Sequence, residues 1–104
     1  MIRVMVQSGP IDPAAELARS ETAGAGAVAS FTGLVRGDGG IKTLELEHYP
    51  GMTEAMLRAL AEEAVERWAL LAATIVHRVG TMQVGERIVF VAAAAAHRGP
   101  ALDG

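Results

Sequence analysis

Two stretches of this sequence carry guanidinium groups to the ends of apolar runs. In Phe31-Thr32-Gly33-Leu34-Val35-Arg36-Gly37 the run ends on an arginine at the mouth of a glycine-rich stretch, and in Ala95-Ala96-His97-Arg98-Gly99 a second run ends on a His-Arg pair. Guanidinium forks hold phosphate and carboxylate through paired hydrogen bonds, and loop N–H groups add donors. Placed side by side, the two ends would make an anion pocket. Taken singly, an arginine at a strand end is usually a solvated charge or half of a surface ion pair.

Other chemistries find less support. His48, His77 and His97 fall on three different predicted strands, with no helical His pair or short His-x-His step, so no metal site is expected. Glu45 and Glu47 share a strand face and could in principle exchange protons, although a solvated outer face explains them far better. No serine stands in a nucleophile-elbow context, and neither a Walker nor a dinucleotide pattern is present. The sequence contains no cysteine, which removes disulfides, thiolate metal ligands, a cysteine nucleophile and a persulfide carrier. Any sulfur handled here must come from elsewhere.

The frame that positions these residues is bounded by length and charge. The chain has 104 residues, 51% of them hydrophobic, and a formal charge of −3. A chain of this size buries about two-thirds of its unfolded surface, so one domain over 1–104 with a real core is expected. The acidic balance argues against charge-driven binding to nucleic acid or membranes. No apolar run is long enough to span a bilayer and the amino terminus alternates, so a cytoplasmic location is the default expectation.

Ile2, Val4 and Val6 alternate with Arg3, Met5 and Gln7, the pattern of a half-buried strand. Asp12 before Pro13 predicts a capped helix over Ala14 to Ala23 with Leu17 and Ala18 inward. Ala25 to Val35 reads as a strand covered on both sides or packed closely against neighbouring backbone, and Thr43 to Tyr49 as another after the Gly37-Asp38-Gly39-Gly40 loop. Thr53 is expected to cap a helix whose buried stripe is Met56, Leu57, Leu60, Ala61, Ala64, Val65 and Trp68. Ala73 to Val79 and Arg87 to Ala96 read as strands joined by a hairpin connection, Gly80 to Glu86. Beyond Arg98 the breakers Gly99 and Pro100 predict no further packed element. The sum is an α+β fold, a largely antiparallel sheet with two helices on one face.

The string Phe31-Thr32-Gly33-Leu34-Val35-Arg36, followed by Leu44-Glu45-Leu46-Glu47-His48-Tyr49-Pro50-Gly51-Met52-Thr53, resembles the large, catalytic subunit of molybdopterin synthase. The resemblance continues through Arg67-Trp68, Ile75-Val76-His77-Arg78-Val79-Gly80, Val84-Gly85-Glu86 and Ala96-His97-Arg98. It implies a hammerhead-like α+β fold and a role in molybdenum cofactor synthesis, where cyclic pyranopterin monophosphate becomes the dithiolene-bearing molybdopterin. It also implies a partner, a small ubiquitin-like subunit whose C-terminal glycine thiocarboxylate brings the sulfur, and a heterotetramer built on a large-subunit dimer. By position, Leu34, Val35 and Arg36, with Phe31 nearby, would form one part of the substrate site, and His97 and Arg98 another, contributed across the dimer. No cofactor is implied.

The resemblance stops short at the carboxyl end. The family continues past the His-Arg pair into a helix and a segment bearing the lysines credited with catalysis. Here Lys42 is the only lysine and matches neither of them, so no catalytic residue is assigned. The expectation is a family member shortened at its C-terminus, with a non-catalytic dimeric binding or assembly module as the alternative.

Overall fold

The computed structural model describes residues 1–22, 24–37, 43–46 and 51–104. The readings placed on Ala23, Asp38 to Lys42, and Glu47 to Pro50, including those for His48 and Glu47, lie outside the described residues, as does the side chain of Glu45.

Along the chain run β1 (Ile2–Gln7), α1 (Pro13–Ser20), β2 (Ala27–Leu34), β3 (Thr43–Leu46), α2 (Met52–Trp68), β4 (Ala72–Arg78), β5 (Gly80–Gln83), β6 (Arg87–Ala95) and α3 (Arg98–Asp103). Four strands form the main sheet in the order β1-β4-β6-β2, and β3 pairs with β5 in a separate two-stranded ladder. The β4–β6 and β6–β2 pairs are antiparallel, as expected. β1 joins β4 in parallel. The α+β class holds, with a mixed sheet.

Alternation along the strands sorts the core into two layers, because successive side chains point to opposite faces. Ile2, Val4, Ala73, Ile75, Ala93 and Ala95 pack with Ala61, Ala64, Val65 and Trp68 of α2 and Ala101 of α3. Val76, Phe90 and Ala92 on the other face pack with Ile11 and Leu17, so α1 covers that side. The two helices expected to share a face, α1 and α2, thus lie on opposite sides of the sheet, and α2 shares its side with α3. The alanines of β6, Ala92 to Ala95, are all buried, and so small a residue there lets helices approach the sheet from both sides.

Several sequence expectations need correction. α1 ends at Ser20, and Ala18 is exposed; the inward residues are Leu17, Glu16 and Ser20. Glu16 is buried because its carboxylate meets Arg3 of β1 at 2.8 Å and Arg19 at 2.8 Å. β2 is an edge strand, with Phe31 and Leu34 63% and 54% exposed, not a strand covered on both sides. The cap of α2 is Gly51, whose N–H donates to Oε1 of Glu54, and Thr53 lies inside the helix. Met56 and Leu60 are exposed, since only the Leu57, Ala61, Ala64, Val65 and Trp68 side of α2 faces inward. The 80–86 connection contains β5 before its turn.

The largest departure is at the carboxyl end, where α3 follows β6 and buries Ala101. Pro100 is its third residue. First-turn N–H groups have no partner inside a helix, so a proline there costs little.

Candidate functional site

Both arginine-bearing ends belong to the β2–β6 ladder. Its register runs from Ala27 opposite Ala95 to Leu34 opposite Arg87. Because the strands are antiparallel, Arg36 follows one end of the ladder while His97 and Arg98 follow the other. Seven residue steps at the antiparallel rise separate those ends by about 24 Å. Within one chain the expected side-by-side arrangement does not form.

The Arg36 end is fixed by backbone. Val35 donates its N–H to the Glu86 carbonyl at 3.0 Å and accepts from Gly85 N–H at 3.0 Å, beyond the irregularity at Gly33/Leu34. Val35 is buried and Arg36 exposed, so the strand end is anchored by one residue and presents the next. Leu34 borders a cleft of roughly 400 Å³ shared with Pro10, Ile11, Arg78, Gly85, Glu86 and Arg87. Sequence reasoning passed over the two arginines of that cleft. Arg78 stands in phase with Thr74 and Val76, an inward position along β4, and that alternation is the signal by which it could have been found.

At the other end, Ala95 is buried and the chain turns outward through Ala96, His97 and Arg98, all exposed. His97 is the extended residue that caps α3, and its carbonyl accepts the Ala101 N–H at 3.4 Å. Arg98 opens the helix. Gly26 donates to the Ala95 carbonyl at 2.9 Å, and a Cβ at position 26 would run into the Ala96 carbonyl oxygen. Only glycine lets β2 begin so close to the residues that lead into His97.

Phe31 sits between the two ends and on the face shared with α3. It lines an apolar groove with Ala29, Val91, Ala101 and Leu102. The structure therefore joins Phe31 to the third helix, not to Arg36, and Leu102 beside it is 73% exposed.

Of the histidines described, His77 is half-buried and its Nδ1 lies 2.8 Å from the Arg78 carbonyl oxygen, the contact of a structural imidazole donating to backbone. Among the described residues no group of three or more His, Asp or Glu side chains is placed to hold a metal ion. No helix among them is long and apolar enough to cross a membrane.

Comparison with known proteins places this geometry in a family. The family model described as MoaE protein matches residues 6–104. The molybdopterin synthase catalytic subunit of Cereibacter sphaeroides is 48% identical over 103 residues, covering 96% of this chain and 70% of that protein. The protein of the same name from Mesorhizobium japonicum is 50% identical over 103 residues, and the chain spans 65% of its length. A solved molybdopterin biosynthesis MoaE protein from Burkholderia ambifaria superposes with a TM-score of 0.91 at 43% identity, covering 99% of this chain and 70% of that one. Molybdopterin synthase from Staphylococcus aureus gives 0.87 at 31% identity, covering 95% and 74%. A match over nearly the whole chain, in both sequence and fold, makes this protein a member of the MoaE family.

Proposed function

We propose that this chain is the pterin-binding part of a molybdopterin synthase large subunit, acting in the cytoplasm. Its substrate on this reading is cyclic pyranopterin monophosphate, and its sulfur arrives as the C-terminal glycine thiocarboxylate of a small ubiquitin-like subunit. Arg36 and Arg98 grip the phosphate, His97 adds a donor beside it, and Leu34, Val35 and Phe31 line the approach. What carries the reading is the family match over residues 6–104 together with exposed cationic or imidazole groups at both ends of the β2–β6 ladder.

The separation of those ends makes the dimer part of the proposal. β2 is an outer strand, with its far edge unpaired within the main sheet. Two copies of β2 paired antiparallel about a two-fold axis near Ser30 and Phe31 would bring the Arg36 end of one chain beside the Ala27 end of the other. There, Ala27 lies next to the Ala95 that leads to His97 and Arg98. Two strand spacings, about 10 Å, would then separate Arg36 from the partner's β6 end, a gap long arginine side chains can close around a phosphate.

A second reading is a dimeric binding or assembly module without turnover, which the exposed Arg36, His97 and Arg98 would serve as binding groups alone. Mixing the protein with thiocarboxylated small subunit and the pterin precursor separates the two. Dithiolene product above background supports the synthase, and precursor binding without product supports the inert module. A chain that neither binds the precursor nor forms product overturns both.

A further inference from the structure

The cleft beside Val35 contains a buried cation whose hydrogen bonding is incomplete. The Arg78 side chain is only 9% exposed. One of its terminal nitrogens, Nη2, donates to the Ser8 carbonyl at 2.9 Å, and the other, Nη1, lies 3.5 Å from Oε2 of Glu86. Nε is buried and has no hydrogen-bond partner among the described residues. A well-made guanidinium–carboxylate pair closes to about 2.8 Å, so Glu86 is a loose counterion. Its carboxylate is nearly half exposed and is also engaged at 2.8 Å by the Gln83 N–H of its own turn.

Arg87 lines the same cleft, and its Nη1 reaches the Ile11 carbonyl only at 3.4 Å. Two arginines thus face one carboxylate in a space of roughly 400 Å³, larger than a phosphate group needs. Buried donors without partners in native proteins commonly mark a bound water or ion.

We propose that this cleft is an oxyanion site of its own, in which a phosphate group displaces the Glu86 carboxylate from Arg78 and bridges Arg78 to Arg87. Glu86 swings to solvent while its backbone carbonyl keeps the Val35 N–H. The site lies on the α1 side of the sheet, where Arg78 follows Thr74 and Val76 in phase, and it uses neither His97 nor Arg98. It does not depend on the sulfur-transfer reading.

Inorganic phosphate titrated into the 15N-labelled chain at constant ionic strength tests this, read from the Arg Nε–Hε and backbone amide resonances. The expected result is a saturable shift of the Arg78 Nε–Hε and of the Gly85 and Arg87 amides. Arg87→Gln weakens binding by about tenfold through loss of a charge-assisted contact. Glu86→Gln, which keeps an oxygen for the Gln83 N–H but removes the competing charge, tightens binding by about threefold or more. Shifts that grow linearly without saturating, or a Glu86→Gln chain that binds phosphate no better than the parent, would overturn the proposal.

Discussion

Arg36 and Arg98 flank opposite ends of one antiparallel ladder, so no rotation of their side chains within a single chain can bring both onto one phosphate. The register from Ala27–Ala95 to Leu34–Arg87 fixes this separation in the backbone. A shared site therefore has to be built from two copies. Arg36→Ala and Arg98→Ala should each weaken binding of the pterin monophosphate about tenfold or more, the loss expected for a hydrogen bond to a charged group. Mixed and allowed to exchange subunits, the two variants should regain part of the binding, because a mixed dimer rebuilds one intact site. Calorimetric titration of the mixture checks it, and a mixture no better than either variant alone would refute the shared site.

Glu16 ties α1 to β1 through Arg3, and its carboxyl is held below the ordinary range first by the hydrogen bond from Arg3, then by the charges of Arg3 and Arg19, against the opposing effect of burial. A carboxyl lowered in the folded state stabilises above its unfolded pKa, and that contribution fades as pH falls through the folded value. Glu16→Gln should cost about 1–2 kcal/mol near neutrality, where it removes the charge that Arg3 and Arg19 pair with and one of the oxygens that accept from Arg3. Urea unfolding of parent and variant should show the gap narrowing as the solution is acidified. A gap that is constant with pH contradicts the role given to this carboxylate.

Gly26→Ala should disturb the His97 end specifically, because the added methyl group meets the Ala96 carbonyl oxygen, which is backbone and cannot step aside. Overpacking of this kind costs about 1–3 kcal/mol. Amide shifts should concentrate on residues 25–27 and 95–98 and leave the Val35–Gly85 contact unmoved. An equal disturbance at both ladder ends would show that the sheet yields as a whole.

Ala69 closes α2 with φ 53°, the left-handed region where a Cβ is strained. Ala69→Gly should stabilise by about 0.5–1 kcal/mol and raise the melting temperature by a few degrees. Calorimetry would show the opposite sign if unfolded-state entropy outweighed the relief.

Local pattern carried the strands well, since Ile2 and Val4 alternate as a half-buried strand must and do pack inward. The apolar stripe of α2 was only half right. Periodicity gives the apolar side of a helix but not the width its neighbours cover, so Met56 and Leu60 stay outside. Glu16 escaped notice because a carboxylate becomes buried only when partners arrive from elsewhere in the chain, here Arg3. α3 was hidden behind Gly99 and Pro100, read as breakers although the first turn tolerates them. The two arginine-bearing ends were legible as residues and not as a place, because strand register is a property of pairing and is not written in either strand alone.

The parallel union of β1 with β4 bears on how the molecule comes into being. Ile2 bonds beside Ala73, with two helices and two strands of chain between them. β1 consequently has no mate until the chain through β4 has been made, and their union closes a long loop, a kind of contact that forms slowly compared with local pairing.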